Sequence, residues 1–100
     1  MRITVTARGC EIPDELRERA RDVMSRVAKY AHRPQGARVV FHENSLARHA
    51  EVHLEAARNE LFTATGAGSD FRSALDRARA KLRRQLDRAQ GERRRSRKRA

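Results

Sequence analysis

The stretch HAEVHLEAA, residues 49–57, decides the fold of this 100-residue chain. Its apolar residues Ala50, Val52, Leu54 and Ala56 alternate with histidine and glutamate. Because successive side chains of a strand point to opposite sides, this pattern predicts a β-strand with one buried and one solvent-exposed face. Such a strand belongs to a sheet that is covered on one face only.

Three further segments around this strand also have the composition of strands. They are residues 2–8 (RITVTAR), 37–43 (ARVVFHE) and 61–66 (LFTATG), and the first of them alternates as cleanly as residues 49–57. The last three strands are joined only by the short segments 44–48 and 58–60. Connections of this length predict an antiparallel meander.

Two helices are predicted from apolar residues that recur with a period of 3.6 residues. The first spans residues 13–31, with a proline in its first turn and acidic residues near its positive end. The second begins at Phe71, after Ser69 or Asp70 as a cap, and is expected to end near residue 89, before Gly91.

The order of these elements is β-α-β-β-β-α, which predicts an α+β fold. The first two strands are joined through a helix, so we expect them to be parallel, with a right-handed crossover connection. Together with the antiparallel meander, this makes the four-stranded sheet mixed. Both helices carry one apolar stripe, and packing them on the same sheet face buries both stripes. We expect one domain over residues 1–90, of the type seen in double-stranded-RNA-binding domains, and a disordered Arg-rich tail over residues 91–100.

Positive charge is concentrated at the C-terminal end of the chain. Residues 72–100 contain 13 Lys or Arg and 3 Asp or Glu, a net charge of +10. The net charge of the whole chain is +11, so residues 1–71 contribute only +1. Eleven of those 13 cations are arginine, which suits bidentate phosphate contacts and stacking on bases. The distribution favours a polyanionic partner, nucleic acid before an anionic membrane, over a merely solubilising surface.

The second helix arranges these cations on its flanks. At 100° per residue, one row falls within an arc of about 60° beside the apolar stripe. The other flank carries Arg83, and the tail adds further arginines. The predicted nucleic-acid-binding residues are Arg77, Lys81, Arg84 and Arg88 in the row, Arg83 on the other flank, and Arg93, Arg94 and Arg95 in the tail.

The type of nucleic acid is less well determined by these residues. The four aromatic residues, Tyr30, Phe41, Phe62 and Phe71, all fall on predicted core faces, which argues against base stacking on the sheet surface. Cations on helices favour recognition of backbone and shape, as in proteins that bind double-stranded RNA. A DNA-binding or transcription-modulating module that uses the same helix is the alternative.

Other functions have weaker support in the sequence. His49, Glu51, His53 and Glu55 share one strand face, a spacing that can ligate metal, but an exposed polar face is the favoured interpretation. No nucleophile elbow, P-loop or dinucleotide-binding motif is present, so we expect neither catalysis nor a cofactor. A single cysteine, a polar N-terminus and the lack of a long apolar run favour a cytoplasmic protein without a membrane segment.

Five stretches in order resemble the family of the ribosome hibernation promoting factor and the ribosome-associated inhibitor, in its short form. The resemblance covers roughly residues 2–90. The matching stretches are ITVTARG at 3–9, EIPDELRE at 11–18, VAKY at 27–30, GSDFRSALD at 68–76 and KLRRQL at 81–86.

The resemblance implies the same β-α-β-β-β-α fold and a defined function. Members of the family bind the small ribosomal subunit in the channel of messenger and transfer RNA, block translation and preserve idle ribosomes. The family's basic positions correspond to Lys81, Arg84 and Arg88 on the last helix, and to Lys29 before the tyrosine that follows the first helix. It implies no enzymatic activity, and we favour a monomer that binds ribosomal RNA.

Overall fold

The computed structural model describes the backbone of residues 1–99 and the side chains of residues 1–92. A short 3₁₀ helix, Ala28–Tyr30, follows the first α-helix, and another, Ala57–Asn59, connects the last two strands. The main elements in chain order are β1 (Arg2–Arg8), α1 (Asp14–Val27), β2 (Gly36–Glu43), β3 (Arg48–Ala56), β4 (Glu60–Gly68) and α2 (Phe71–Arg99).

The sheet has the predicted mixed topology, with the strand order β1-β2-β3-β4. β1 lies parallel to β2, with Val5 opposite Val39. β2, β3 and β4 form the antiparallel meander, in which Val52 faces Val39 on one side and Ala64 on the other. The predicted α+β fold, with β-α-β-β-β-α order, is confirmed.

Both helices pack on one face of the sheet, and the core lies between these two layers. α2 covers β3 and β4, while α1 lies on β1 and against α2. The alternation predicted for β3 is observed, since Ala50, Val52, Leu54 and Ala56 are all buried. The largest fully buried side chains are Phe41, Met24, Leu54, Leu75, Leu82, Leu86, Val39 and Val52.

The helices also cover the two free edges of the sheet. A guanidinium nitrogen (Nη1) of Arg17 in α1 donates a hydrogen bond to the carbonyl of Val5 on β1, at 3.0 Å. Arg77 and Gln85 of α2 donate to the carbonyls of Ala67 and Thr63 on β4. Side chains that occupy edge carbonyls reduce the tendency of a strand to pair with another chain.

α2 differs from the prediction at its C-terminal end. We expected the helix to end near residue 89 with Gly91 beyond its last turn, but the helical backbone continues to Arg99, so that prediction is wrong. A glycine costs about 1 kcal/mol in a helix interior and does not by itself end a helix. The surrounding Gln, Glu, Arg and Lys residues are good helix formers. Disorder of residues 91–100 in the free protein stays a prediction, and Ala100 lies outside the described residues.

α2 extends beyond the body of the domain. Its 29 residues correspond to a length of about 43 Å, and the longest dimension of the molecule is 50 Å. Among the described side chains, Leu86 is the last of α2 that is buried. Neither helix, within the described part of the chain, contains an apolar stretch that could cross a bilayer.

Candidate nucleic-acid interface

The start of α2 is fixed by Asp70, one of the two caps, Ser69 or Asp70, that the sequence left open. Its carboxylate accepts a hydrogen bond from the backbone N–H of Ser73 at 2.7 Å, and its carbonyl accepts one from Ala74. The hydrogen bond from Ser73 lowers the pKa of Asp70 below its ordinary value of 3.8. The cap sets where α2 begins and therefore where its cations lie along β4.

Replacement of Asp70 by alanine is expected to lower the urea midpoint of unfolding, because the Ser73 N–H loses its partner. Since the folded pKa is depressed, the charged form stabilises the protein above pH 3.8, and this contribution is lost as pH falls through the lowered pKa. Urea titrations of wild type and Asp70→Ala between pH 2 and pH 7 should therefore converge in acid. An equal difference between the two proteins at every pH would contradict this assignment. Asp70→Asn is the control, because it keeps an accepting oxygen without a charge.

The predicted cations of α2 lie on one exposed flank, which we call the basic row: Arg77, Lys81, Arg84 and Arg88. Arg77 is tied to the edge of β4 through its hydrogen bond to Ala67. The other three have no hydrogen-bond or ion-pair partner among the side chains of residues 1–92. The row thus has one anchored cation and three that are free to bind an anion.

No ion pair among the described side chains offsets the mutual repulsion within the basic row. The nearest carboxylate in sequence, Asp87, is engaged by Arg83, whose Nε lies 3.0 Å from its Oδ1. Asp76 is engaged in the same way by Arg19 of α1, at 3.0 Å. Asp76 and Asp87 are therefore engaged by arginines outside the row, and Glu92, one turn beyond Arg88, forms no ion pair with it, so an external anion can supply the counter-charge.

The opposite flank of α2 and the end of α1 enclose a second basic surface, which we call the interhelical groove. It has a volume of about 560 Å³. Five cations and two carboxylates line it, so its balance is positive. Its lining residues are Arg19, Asp22, Val23, Arg26, Val27, Lys29, Tyr30, Asp76, Arg79 and Arg83.

Ion pairs neutralise part of the interhelical groove. Arg19 binds Asp76, and Arg26 binds Asp22 at 3.2 Å within α1. Lys29 and Arg79 have no partner of this kind among the described side chains. The groove therefore presents two unpaired cations to a ligand.

The guanidinium of Arg83 lies over the ring of Tyr30 in this groove. The guanidinium carbon of Arg83 lies 3.3 Å from the centroid of the Tyr30 ring. The hydrogen bond to Asp87 raises the pKa of Arg83 above its ordinary value, so the guanidinium stays charged at all physiological pH values. Tyr30, which the sequence placed on a core face, is 43% exposed, so that prediction is wrong. The reason is that the tyrosine lies at the end of the 3₁₀ helix, where an arginine rather than the sheet covers its ring.

The structure distributes the predicted binding residues over two surfaces. Arg77, Lys81, Arg84 and Arg88 form the basic row, whereas Lys29 and Arg83 lie in the interhelical groove. Arg93, Arg94 and Arg95 follow on the helical backbone of α2, but their side chains lie outside the described residues. Arg26 and Arg79 also line the groove but were not among the predicted binding residues. The position of Arg79 beside Arg83 on the same flank of α2 was the available signal for it.

The exposed face of the sheet carries the histidines considered as metal ligands. Glu51 lies 3.4 Å from His42, 3.8 Å from His53 and 3.8 Å from Arg8. The rings of His42 and His49 stack with centroids 4.7 Å apart. Within the described residues, no group of three or more His, Cys, Asp or Glu side chains is arranged to hold a metal ion. Glu51 instead contacts Arg8, His42 and His53 on three strands.

Comparison with known proteins places this architecture in a family. The model of the sigma 54 modulation protein / S30EA ribosomal protein family matches residues 3–94, almost the whole chain. The chain belongs to this family. The hibernation-factor resemblance predicted from five short stretches of the sequence is confirmed.

Solved structures have the same fold as this S30EA family member. A ribosomal subunit interface protein from Coxiella burnetii superposes with a TM-score of 0.79 at 21% identity, over 91% of this chain and 99% of that one. The N-terminal domain of Protein Y from Thermus thermophilus superposes with a TM-score of 0.76 at 26% identity, over 88% and 98% of the two chains. No curated protein matches this sequence.

Proposed function

We propose that the protein binds the small ribosomal subunit in the cytoplasm, in the channel of messenger and transfer RNA, and blocks translation by occupying that channel. The observation that carries the proposal is the basic row, whose Lys81, Arg84 and Arg88 are exposed and unpaired among the described side chains. The family description, which names a ribosomal protein, supports a ribosomal target. The similar Coxiella burnetii protein, described as a ribosomal subunit interface protein, supports it as well.

The spacing of the row suits a nucleic-acid backbone. Lys81 and Arg88 are separated by about 10 Å along the helix axis, at a rise of 1.5 Å per residue. A strand of duplex DNA advances about 3.4 Å per nucleotide, so this distance corresponds to about three phosphates on that scale. Each phosphate contact releases condensed counterions, and this release supplies a binding free energy that does not depend on sequence.

The remaining predicted residues extend the contact area in this proposal. Lys29 and Arg83 present the interhelical groove to the RNA, and Arg93, Arg94 and Arg95 prolong the charge of α2. Arg77 contributes mainly by holding α2 on the edge of β4, since its guanidinium already donates to Ala67. One copy of the protein is sufficient, and occlusion requires neither a catalytic residue nor a cofactor.

Sedimentation with purified ribosomal subunits tests the proposal. The protein is expected to migrate with the small subunit in low salt, and to be released progressively as the salt concentration rises through the physiological range. Prior occupation of the subunit by a messenger RNA fragment and initiator transfer RNA should prevent binding. The protein sedimented without ribosomal subunits is the control for self-association.

Two results would contradict the proposal. Absence from the small-subunit fraction at low salt would exclude the ribosomal target. Undiminished binding to a subunit already filled with messenger and transfer RNA would exclude the channel as the site. Preferential displacement of the protein from ribosomal RNA by duplex DNA at matched ionic strength would instead favour the DNA-binding alternative.

A further inference from the structure

The guanidinium of Arg83 is held more firmly in the interhelical groove than a simple contact between two helices requires. The guanidinium is held on two sides, by the ring 3.3 Å from its central carbon and by Asp87, which accepts a hydrogen bond from Nε at 3.0 Å. Its orientation is thus fixed before any ligand arrives. Yet 40% of the Arg83 side chain remains exposed. A flat cation with one face covered and the rest open to a groove is a preorganised surface for another flat group.

We infer that Tyr30 and Arg83 form a stacking platform for one unpaired nucleobase of the bound RNA. The base would lie against the face of the Arg83 guanidinium opposite Tyr30. The inference rests on the proposed function, because it assumes that the ligand is RNA, and it adds the base as a second kind of contact beside the phosphates.

The contacts of the groove favour a base over a phosphate at this position. Asp87 occupies one edge of the guanidinium and places a carboxylate where a phosphate would otherwise approach, so bidentate phosphate binding is disfavoured. The exposed part of Arg83 lines the groove, and arginine planes stack on bases. Lys29 and Arg79, which line the same groove and lack ion-pair partners among the described side chains, are available for the flanking phosphates.

Three RNA probes separate the base from the backbone. The first is a fully paired 12-base-pair duplex, the second has one bulged adenosine at its centre, and the third carries an abasic ribose in place of that adenosine. The second and third have the same number of phosphates, so electrostatics cannot distinguish them. We expect the full-length protein to bind the adenosine bulge about tenfold more tightly than the abasic bulge, in line with typical stacking contributions.

Substitutions assign that preference to the platform. Arg83→Lys keeps the charge but removes the plane, and is expected to abolish the preference for the adenosine bulge, measured as the ratio of the affinities for the second and third probes. Tyr30→Phe should retain the preference and Tyr30→Leu should lose most of it, because the ring orients the guanidinium. Arg79→Lys is the matched control in the same groove, since Arg79 stacks on no ring among the described residues and no change in preference is expected.

The outcomes distinguish this inference from the proposed function. Equal affinity of wild type for the two bulged duplexes, with salt-dependent binding intact, would overturn the platform and leave the ribosomal proposal standing. Equal loss of affinity for all three probes in Arg83→Lys, together with a lower melting temperature, would show a purely structural contact and also overturn it. Absence of binding to every probe and to ribosomal subunits would remove the proposed function and the platform together.

Discussion

Replacement of Lys81, Arg84 and Arg88 together by glutamine is expected to weaken binding to the small subunit by about 100- to 500-fold at 0.1 M salt. This range follows from a slope of about 0.7–0.9 in log affinity against log salt for each phosphate that a cation neutralises, and from the removal of three such cations. The plot of log affinity against log salt should accordingly become shallower by about 2 to 3 units. Glutamine is chosen because it preserves length and helix propensity, so α2 remains formed.

The control removes the same charge from elsewhere on the molecule. Arg2 and Arg38 belong to strands, Arg58 lies in the connection between β3 and β4, and all three are exposed. Glutamine at these three positions lowers the net charge from +11 by the same amount as the row variant. We expect the control variant to keep most of its affinity and nearly all of its salt slope. Equal losses in the two variants would show that net charge, and not the basic row, determines binding.

The sheet could be predicted from the sequence because the alternation of apolar and polar residues in a strand indicates which of its faces is buried. In β3 every second residue is apolar, and all four of those residues are buried. A one-residue shift in register would expose the entire set, so the pattern determines the face as well as the strand. The crossover between β1 and β2 followed from chain connectivity and handedness alone.

The groove could not be predicted in the same way, because it depends on contacts between distant residues, and the C-terminal end of α2 was missed for a local reason. Tyr30 continued the apolar stripe of α1 on a helical wheel, and nothing local indicated that Arg83, 53 residues later, would cover its ring. Composition likewise separated residues 91–100 from the helix, although strong helix formers around Gly91 allow the backbone to continue. The basic row was predictable because it needs only the period of one helix, whereas the groove needs two helices at a known angle.

The close approach of α2 to β4 was also invisible in the sequence, and it leads to the prediction with the largest expected effect on stability. A Cβ added at Gly66 would collide with the carbonyl oxygen of Ala74 and lie 2.6 Å from the backbone nitrogen of Ala78 and 3.0 Å from Cβ of Arg77. The first two obstacles are main-chain atoms of α2, which cannot rotate aside as a side chain can. Gly66→Ala therefore requires α2 to move away from the sheet.

We expect Gly66→Ala to destabilise the protein by about 3 kcal/mol, at the upper end of the usual cost of overpacking a core. For a domain of this size the melting temperature should fall by more than about 10 °C, as measured by thermal unfolding followed by circular dichroism. The other strand glycines provide a graded control. At Gly68 the nearest atom is Cβ of Ser73 at 3.1 Å, and at Gly36 it is the carbonyl oxygen of Arg2 at 3.6 Å.

The order of destabilisation should therefore be Gly66→Ala, then Gly68→Ala, with Gly36→Ala near neutral because 3.6 Å is an ordinary contact. A second substitution, Ala78→Gly, is not expected to rescue Gly66→Ala, since the obstructing atom at residue 78 is its backbone nitrogen. Rescue by that double variant would mean that side chains limit the approach of the helix. An unchanged melting temperature in Gly66→Ala would mean that α2 does not lie this close to β4. Arg77 would then not donate a hydrogen bond to Ala67, and the basic row would not lie along the edge of β4 as described.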